Sequence, residues 1–167
     1  NLMLRNGLRE IEVVRMNIED IQERDDSWVI VIQRKGKQMK DTSLPLSTKA
    51  MEAIDIYLQA REDSWQEHSP LFVSLSNNSS NRRVSTSFIS QMIKAKLIAS
   101  GLTGKMFTAH SLRHTTATLL LADGYSEYEV MLFMGHSNFN TTRIYSRQKE
   151  MDIIFNNKPT KYFDKAI

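Results

Sequence analysis

The chain of 167 residues contains no cysteine. Disulfides, thiol nucleophiles and every cysteine-based metal site are therefore excluded together, and the composition is compatible with a reducing compartment such as the cytosol. No apolar run approaches the ~18 residues that a membrane span requires. The longest such stretches, 28–32 and 130–134, are of core size. There is no basic leader with an apolar region behind it, so nothing in the sequence marks export. Charge of one sign is not in large excess either. Twenty-two Lys and Arg against 19 Asp and Glu leave a net charge of +3, so what the cations do depends on whether they converge.

What is present reads as one globular domain. With 41% apolar and 25% charged residues, a chain of this length can bury roughly 70% of its unfolded surface and needs no staple. Residues 1–16 read as helical pieces broken around Asn6-Gly7. Leu2, Met3 and Leu4 have no capping residue before them, which gives the expectation that the chain starts inside a helix and is a fragment whose N-terminal portion has been cut away. Short β-type runs follow at 18–22, 28–33 and 38–46, separated by turns at 23–26 and 35–37, the pattern of a small antiparallel meander. Pro45 closes the last strand, and Ser47 or Thr48 caps a helix to about Arg61. A polar loop at 74–81 precedes a helix over 85–100 with apolar residues at helical spacing. A helix over 110–123 ends at Gly124. Ser126 and Glu129 form a capping box for a helix to about Met134, and a short helix is expected over 138–148. The expected class is α+β, mostly helical, with a three-stranded antiparallel sheet near the N-terminus.

The residues able to do chemistry fall in a definite order. His110 and Arg113 lie three apart on one helix face, so both can reach the same atom. Gly135-His136 follows 26 residues after His110, and Tyr145 nine residues later. Arg9 sits at a helix start after Gly7-Leu8, and Lys35 in a strand turn before Gly36. The i, i+4 pair His110 and His114 has the spacing of a zinc helix, but Ser111 stands where such a helix carries its glutamate. No metal and no cofactor are expected.

Across almost its whole length the chain resembles the catalytic domain of the tyrosine recombinases, or phage integrases. The resemblance is carried by Asn6-Gly7-Leu8-Arg9-Glu10-Ile11-Glu12, by His110-Ser111-Leu112-Arg113-His114-Thr115-Thr116-Ala117, by Met134-Gly135-His136-Ser137 and by Thr141-Thr142-Arg143-Ile144-Tyr145. Asn6 departs from the threonine usual there. The turn 33–37 offers several cations, and Lys35 is chosen over Lys37 and Lys40 for its position before Gly36. The resemblance implies a catalytic set of Arg9, Lys35, His110, Arg113 and His136 with Tyr145 as nucleophile, and supporting roles for Glu12 and His114. It implies a reaction that breaks and rejoins DNA through a 3′-phosphotyrosine, without metal or ATP.

The chemistry suits these side chains. Two guanidiniums bind the non-bridging oxygens of a phosphate in pairs and stabilise the charge that grows there during attack. A phenol of pKa ~10 is a hydroxyl nucleophile that a base can activate. Lys35 can protonate the departing 5′ oxygen. His110 can take the phenolic proton or bond the phosphate, and His136 can donate to a phosphate oxygen. Arg34, Lys37, Lys40, Arg82, Arg83 and Arg143 are the further cations expected on the DNA. The implied partners are double-stranded recombination sites, a homotetramer assembled on them and accessory DNA-bending proteins, with no membrane. The expected setting is the bacterial nucleoid, with the chain encoded by a phage or mobile element. The tail 146–167, with the apolar group 151–155, is expected to pack on a neighbouring protomer. A type IB-like topoisomerase and a non-catalytic DNA-binding module of the same fold are the alternative readings.

Overall fold

The computed structural model describes residues 1–61, 64–74 and 82–136. Arg143, Tyr145, the expected helix 138–148 and the tail 146–167 lie outside the described residues, as does most of the polar loop at 74–81. The chain, read above as one domain, groups into two compact units, Asn1–Thr116 and Ala117–Ile167.

In the first unit, α1 (Leu2–Arg5) and α2 (Glu10–Val14) are separated at Asn6. Asn6 is buried and donates its side-chain amide to the carbonyl of Pro45 at 2.7 Å. The residue that departs from the family pattern therefore ties the helix break to the sheet. A single 3-10 turn, Ile18–Asp20, follows where the sequence suggested strand. Its cause is local: the carboxylate of Asp20 accepts the backbone N–H of Asn17 at 2.7 Å, a box that closes the turn before a ladder can start.

The meander is present, with shorter strands. β1 (Ile21–Arg24), β2 (Ser27–Ile32) and β3 (Thr42–Pro45) form an antiparallel sheet in the order β1-β2-β3. Arg24 pairs with Ser27 across Asp25 and Asp26, both at positive φ, which is the two-residue hairpin turn whose twist matches the strands. Ile30 opposes Leu44 and Ile32 opposes Thr42. Ile30, Ile32 and Leu44 are buried, so the period-2 pattern points one face inward. β3 begins only at Thr42 because a side chain occupies backbone groups before it. The Gln33 side-chain amide donates to the carbonyls of Lys37 at 2.8 Å and Gln38 at 3.2 Å, which removes those groups from any ladder.

α3 (Thr48–Gln59) is capped by Ser47, whose hydroxyl accepts the N–H of Ala50 at 3.3 Å. α4 (Thr86–Ala99) is capped in the same way by Ser85. Of its apolar residues only Ile89 is buried, while Phe88, Met92 and Ile98 are exposed. α5 (Ala109–Ala122) begins in the first unit and ends in the second. In the second unit, Ala117 and Leu121 of α5 pack with Val130 and Met134 of α6 (Glu127–Met134). The apolar run 130–134 thus buries one helical face, and Leu132 between them is exposed. The Ser126–Glu129 capping box forms as read from the sequence. Among the described residues no helix is long and apolar enough to cross a membrane.

Candidate active site

The centre of the first unit's polar cluster is Glu12, a carboxylate with no exposed surface. A buried charge of this kind is tolerable only when it is paired and hydrogen-bonded. One of its oxygens accepts the backbone N–H of Arg9 at 2.8 Å, and the other meets the Arg9 guanidinium at 3.0 Å. Arg9 is the residue before α2, so the contact also satisfies an open N–H at the helix start. The same carboxylate reaches across to the β2–β3 connection. Arg34 Nη1 lies 3.6 Å from one oxygen, and the Lys35 N–H approaches the other at 3.4 Å. Glu12 therefore links the Arg9 helix start to the turn that carries Lys35.

The geometry of that turn is set by glycine. The Lys37 N–H donates to the Arg34 carbonyl at 3.0 Å, and Gly36 has φ of +85°. This is a type II turn, which needs positive φ at its third residue and accepts glycine there without strain. Lys35 occupies the second position and is exposed, while Arg34, immediately before it, is only 6% exposed. The turn presents one cation and buries the other.

α5 joins the same segment. Arg113 is 2% exposed, and its guanidinium donates to the carbonyl of Gly7, two residues before Arg9. One turn later, Thr116 donates to the Leu4 carbonyl at 2.6 Å. These bonds hold the first half of α5 against the chain on either side of the α1–α2 break. His110, on the same helix, is exposed and lines an open groove of about 840 Å³ with Glu10, Ser90, Gln91, Lys94, Lys105 and Thr108. Ser90 of α4 bonds the Glu10 carboxylate, and Lys94 donates to the carbonyls of Gly104 at 2.8 Å and Phe107 at 2.9 Å, fixing the segment that leads into α5. The rings of His110 and His114 meet edge to face, 4.7 Å apart and at 85°. Partial burial pushes the His114 pKa below its usual value, and the neighbouring His110 and Arg113 push it the same way.

The arrangement brings together Arg9, Glu12, Arg34, Lys35 and Arg113, with His110 on the Arg113 helix. His136 belongs to the second unit. It is 8% exposed, and its N–H donates to the Met131 carbonyl at 3.0 Å just beyond a left-handed Gly135 that ends α6. The cations expected on DNA divide. Arg34 is turned inward to Glu12. Lys40 is held by the buried Asp20 at 2.6 Å. Arg83 donates to the carbonyls of Val14 at 2.6 Å and Met16 at 2.8 Å, and to the Asn17 side chain at 2.6 Å. Burial lowers the Arg83 pKa. Arg34 and Lys40 are thereby fastened into the frame of the unit, whereas Arg83 is hydrogen-bonded to it and remains exposed. Lys37 and Arg82 are exposed, Lys37 beside Asp41 at 3.7 Å. Lys94 and Lys105 were missed in the sequence. Lys105 lies five residues before His110, but Lys94 is on α4 and nothing in the sequence linked it to that histidine.

An α+β unit that joins a helix start and a strand turn through one buried glutamate, with Arg113 of a later helix bonded beside them to Gly7, defines a class. Residues 1–151 match the phage integrase family, and the chain belongs to that family. It is similar to the tyrosine recombinase XerC of Caldanaerobacter subterraneus, at 33% identity over 147 residues, 87% of this chain and 39% of that protein. The XerC of Chlamydia pneumoniae is 33% identical over 146 residues, 87% of this chain and 45% of that one. The chain spans less than half the length of these curated relatives. Among solved structures it is similar to the XerA recombinase, with a TM-score of 0.71 and 31% identity over 90% of this chain and 53% of that one. It shares its fold with the XerH site-specific recombinase bound to difH substrate in a pre-cleavage complex, at a TM-score of 0.73 and 24% identity, covering 92% of this chain and 43% of that one.

Proposed function

We propose that this chain is the catalytic domain of a site-specific tyrosine recombinase that cleaves and rejoins DNA strands through a covalent 3′-phosphotyrosine. The observation that carries the reading is the Glu12 junction, which holds Arg9 and the Lys35 turn to one carboxylate while Arg113 is bonded to the adjoining Gly7. Arg9 and Arg113 bind the scissile phosphate through their guanidiniums and stabilise its growing negative charge. The Tyr145 oxygen attacks phosphorus and its proton passes to His110. The bond from phosphorus to the 5′ oxygen breaks, and Lys35 supplies the proton that this oxygen gains. His136 donates a hydrogen bond to a phosphate oxygen. One phosphodiester replaces another, so the step is close to balanced in energy and reverses when a 5′ hydroxyl attacks the phosphotyrosine. Neither ATP nor a metal ion enters it.

The relatives support the choice of recombinase over topoisomerase, because the similar proteins named above are recombinases. The proposed partners are double-stranded recombination sites in the bacterial nucleoid, with four copies of the chain assembled on two duplexes and accessory DNA-bending proteins beside them. The tail 146–167 packs on a neighbouring copy in that assembly. A nicked suicide duplex that traps the cleaved strand tests the reading. The wild-type chain should form a covalent protein–DNA adduct visible on a denaturing gel. Tyr145→Phe should form none while binding the duplex within about threefold, since phosphate contacts elsewhere dominate affinity. An adduct in that variant would move the nucleophile to another tyrosine.

A further inference from the structure

Arg34 was counted among the cations facing DNA, yet it is buried against Glu12, one residue before Lys35. We propose that Arg34 is a positioning residue for Lys35: its guanidinium, pressed on the Glu12 carboxylate, anchors the type II turn so that the neighbouring ammonium faces the leaving oxygen. The inference rests on the recombinase reading and on Lys35 as the proton donor. Three observations carry it.

Arg34 supplies the carbonyl that closes the turn onto the Lys37 N–H at 3.0 Å, so its backbone is the turn's first residue. Its side chain is 8% exposed and ends 3.6 Å from Glu12, so this first residue is fixed from the side-chain end as well. The Lys35 N–H meets the other Glu12 oxygen at 3.4 Å, a long contact from a neutral donor, so the charged Arg34–Glu12 pair is a second tie between the turn and the carboxylate. The charge arithmetic points the same way. Glu12 sits beside Arg9 and would cancel the field that Arg9 offers to a phosphate. A second buried guanidinium on the same carboxylate restores a positive balance around it. Burial lowers the Arg34 pKa, and Glu12 acts against that shift.

The test compares cleavage of two suicide duplexes, one with an ordinary 5′ oxygen at the scissile phosphate and one with a bridging sulfur there. Sulfur leaves without a proton, so it makes the donor dispensable. Arg34→Gln should lose at least about tenfold on the oxygen duplex and less than about threefold on the sulfur duplex. Lys35→Ala, run beside it, should show the same selectivity in larger measure. The double variant Arg34→Gln/Lys35→Ala should cleave oxygen no slower than Lys35→Ala. Arg34→Lys keeps a cation on Glu12 and so protects the fold. It should show the same selectivity at about threefold and decides the matter if Arg34→Gln does not fold. Equal losses on both duplexes, or no loss on either, overturn the positioning role. If Lys35→Ala is not rescued by sulfur, the donor assignment falls as well. Rescue of Lys35→Ala with an unselective Arg34 variant overturns this inference alone.

Discussion

Exchanging an arginine for lysine keeps the charge and loses the planar fork, which makes it the sharpest probe at the residue scale. Arg9→Lys and Arg113→Lys should each slow adduct formation by about a hundredfold or more, the equivalent of roughly 3 kcal/mol of transition-state stabilisation. Single-turnover rates on the suicide duplex measure this, and a loss below about tenfold would remove the pairwise phosphate grip from the mechanism. Arg113→Lys also gives up the guanidinium contact to Gly7, so its unfolding midpoint should fall while that of Arg9→Lys stays nearer the wild type. His114 supplies a second residue-scale test. Its pKa is lowered by partial burial first, then by His110 and Arg113. The unfolded chain therefore binds the proton more readily than the folded one, and stability falls as pH drops from the ordinary histidine value near 6.5 through the lower folded value. Denaturant titrations at pH 7.5 and 5.5 should show a smaller acid loss in His114→Gln than in wild type. An identical loss would place the acid sensitivity elsewhere.

Elements decide how those side chains are delivered. The Lys35 turn depends on Gly36 at φ +85°, a conformation that an L side chain adopts only with strain, although open space surrounds the position where a Cβ would stand. Gly36→Ala should cost about 1 kcal/mol of stability through backbone strain alone. It should slow cleavage of the oxygen duplex well beyond that of the sulfur duplex, because what it disturbs is the placement of Lys35. Equal slowing on both would mean that the turn bears on DNA binding instead, which a binding titration would then show. α5 works differently. It presents His110 to the groove and Arg113 to the Gly7 carbonyl from one short stretch, so spacing along the helix substitutes for any loop geometry. α6 needs no such device beyond its cap, since Gly135 in the left-handed region ends it one residue before His136.

For the whole molecule, the net charge is only +3, and Arg34 and Lys40 are committed to Glu12 and Asp20, while Lys35, Lys37, Arg82 and Lys105 are exposed. DNA affinity should accordingly show a moderate salt slope, with Lys37→Ala and Arg82→Ala each reducing it by about one unit and Lys40→Ala by much less. A Lys40→Ala slope change as large as that of Lys37→Ala would show that the Asp20 pair opens on DNA. Cleavage should proceed undiminished in EDTA, because guanidiniums do the work that metal ions do elsewhere. An absolute need for magnesium would overturn the two-arginine mechanism.

The family motifs were legible because they are local. The three-residue step from His110 to Arg113 is one face of a helix whatever surrounds it, Lys35-Gly36 is a turn signal, and Ser126 to Glu129 closes its own cap within four residues. The meander was legible from its period, but its ends were not. The start of β1 was displaced by the Asn17–Asp20 box and that of β3 by the bonds of Gln33, both competitions between side chain and backbone. The role of Arg34 was beyond reach of the sequence, where it is one more basic residue in Gln33-Arg34-Lys35-Gly36-Lys37. Glu12 lies more than 20 residues away in the chain, and only folding brings its carboxylate to Arg34 and to the Lys35 N–H. The sequence by itself determined the family and which chemistry is proposed for this chain, since charge, a hydroxyl nucleophile and helix spacing are properties of residues and near neighbours. Which cations serve that chemistry and which brace the frame was decided by tertiary structure, because a buried carboxylate must gather its partners from wherever the chain returns.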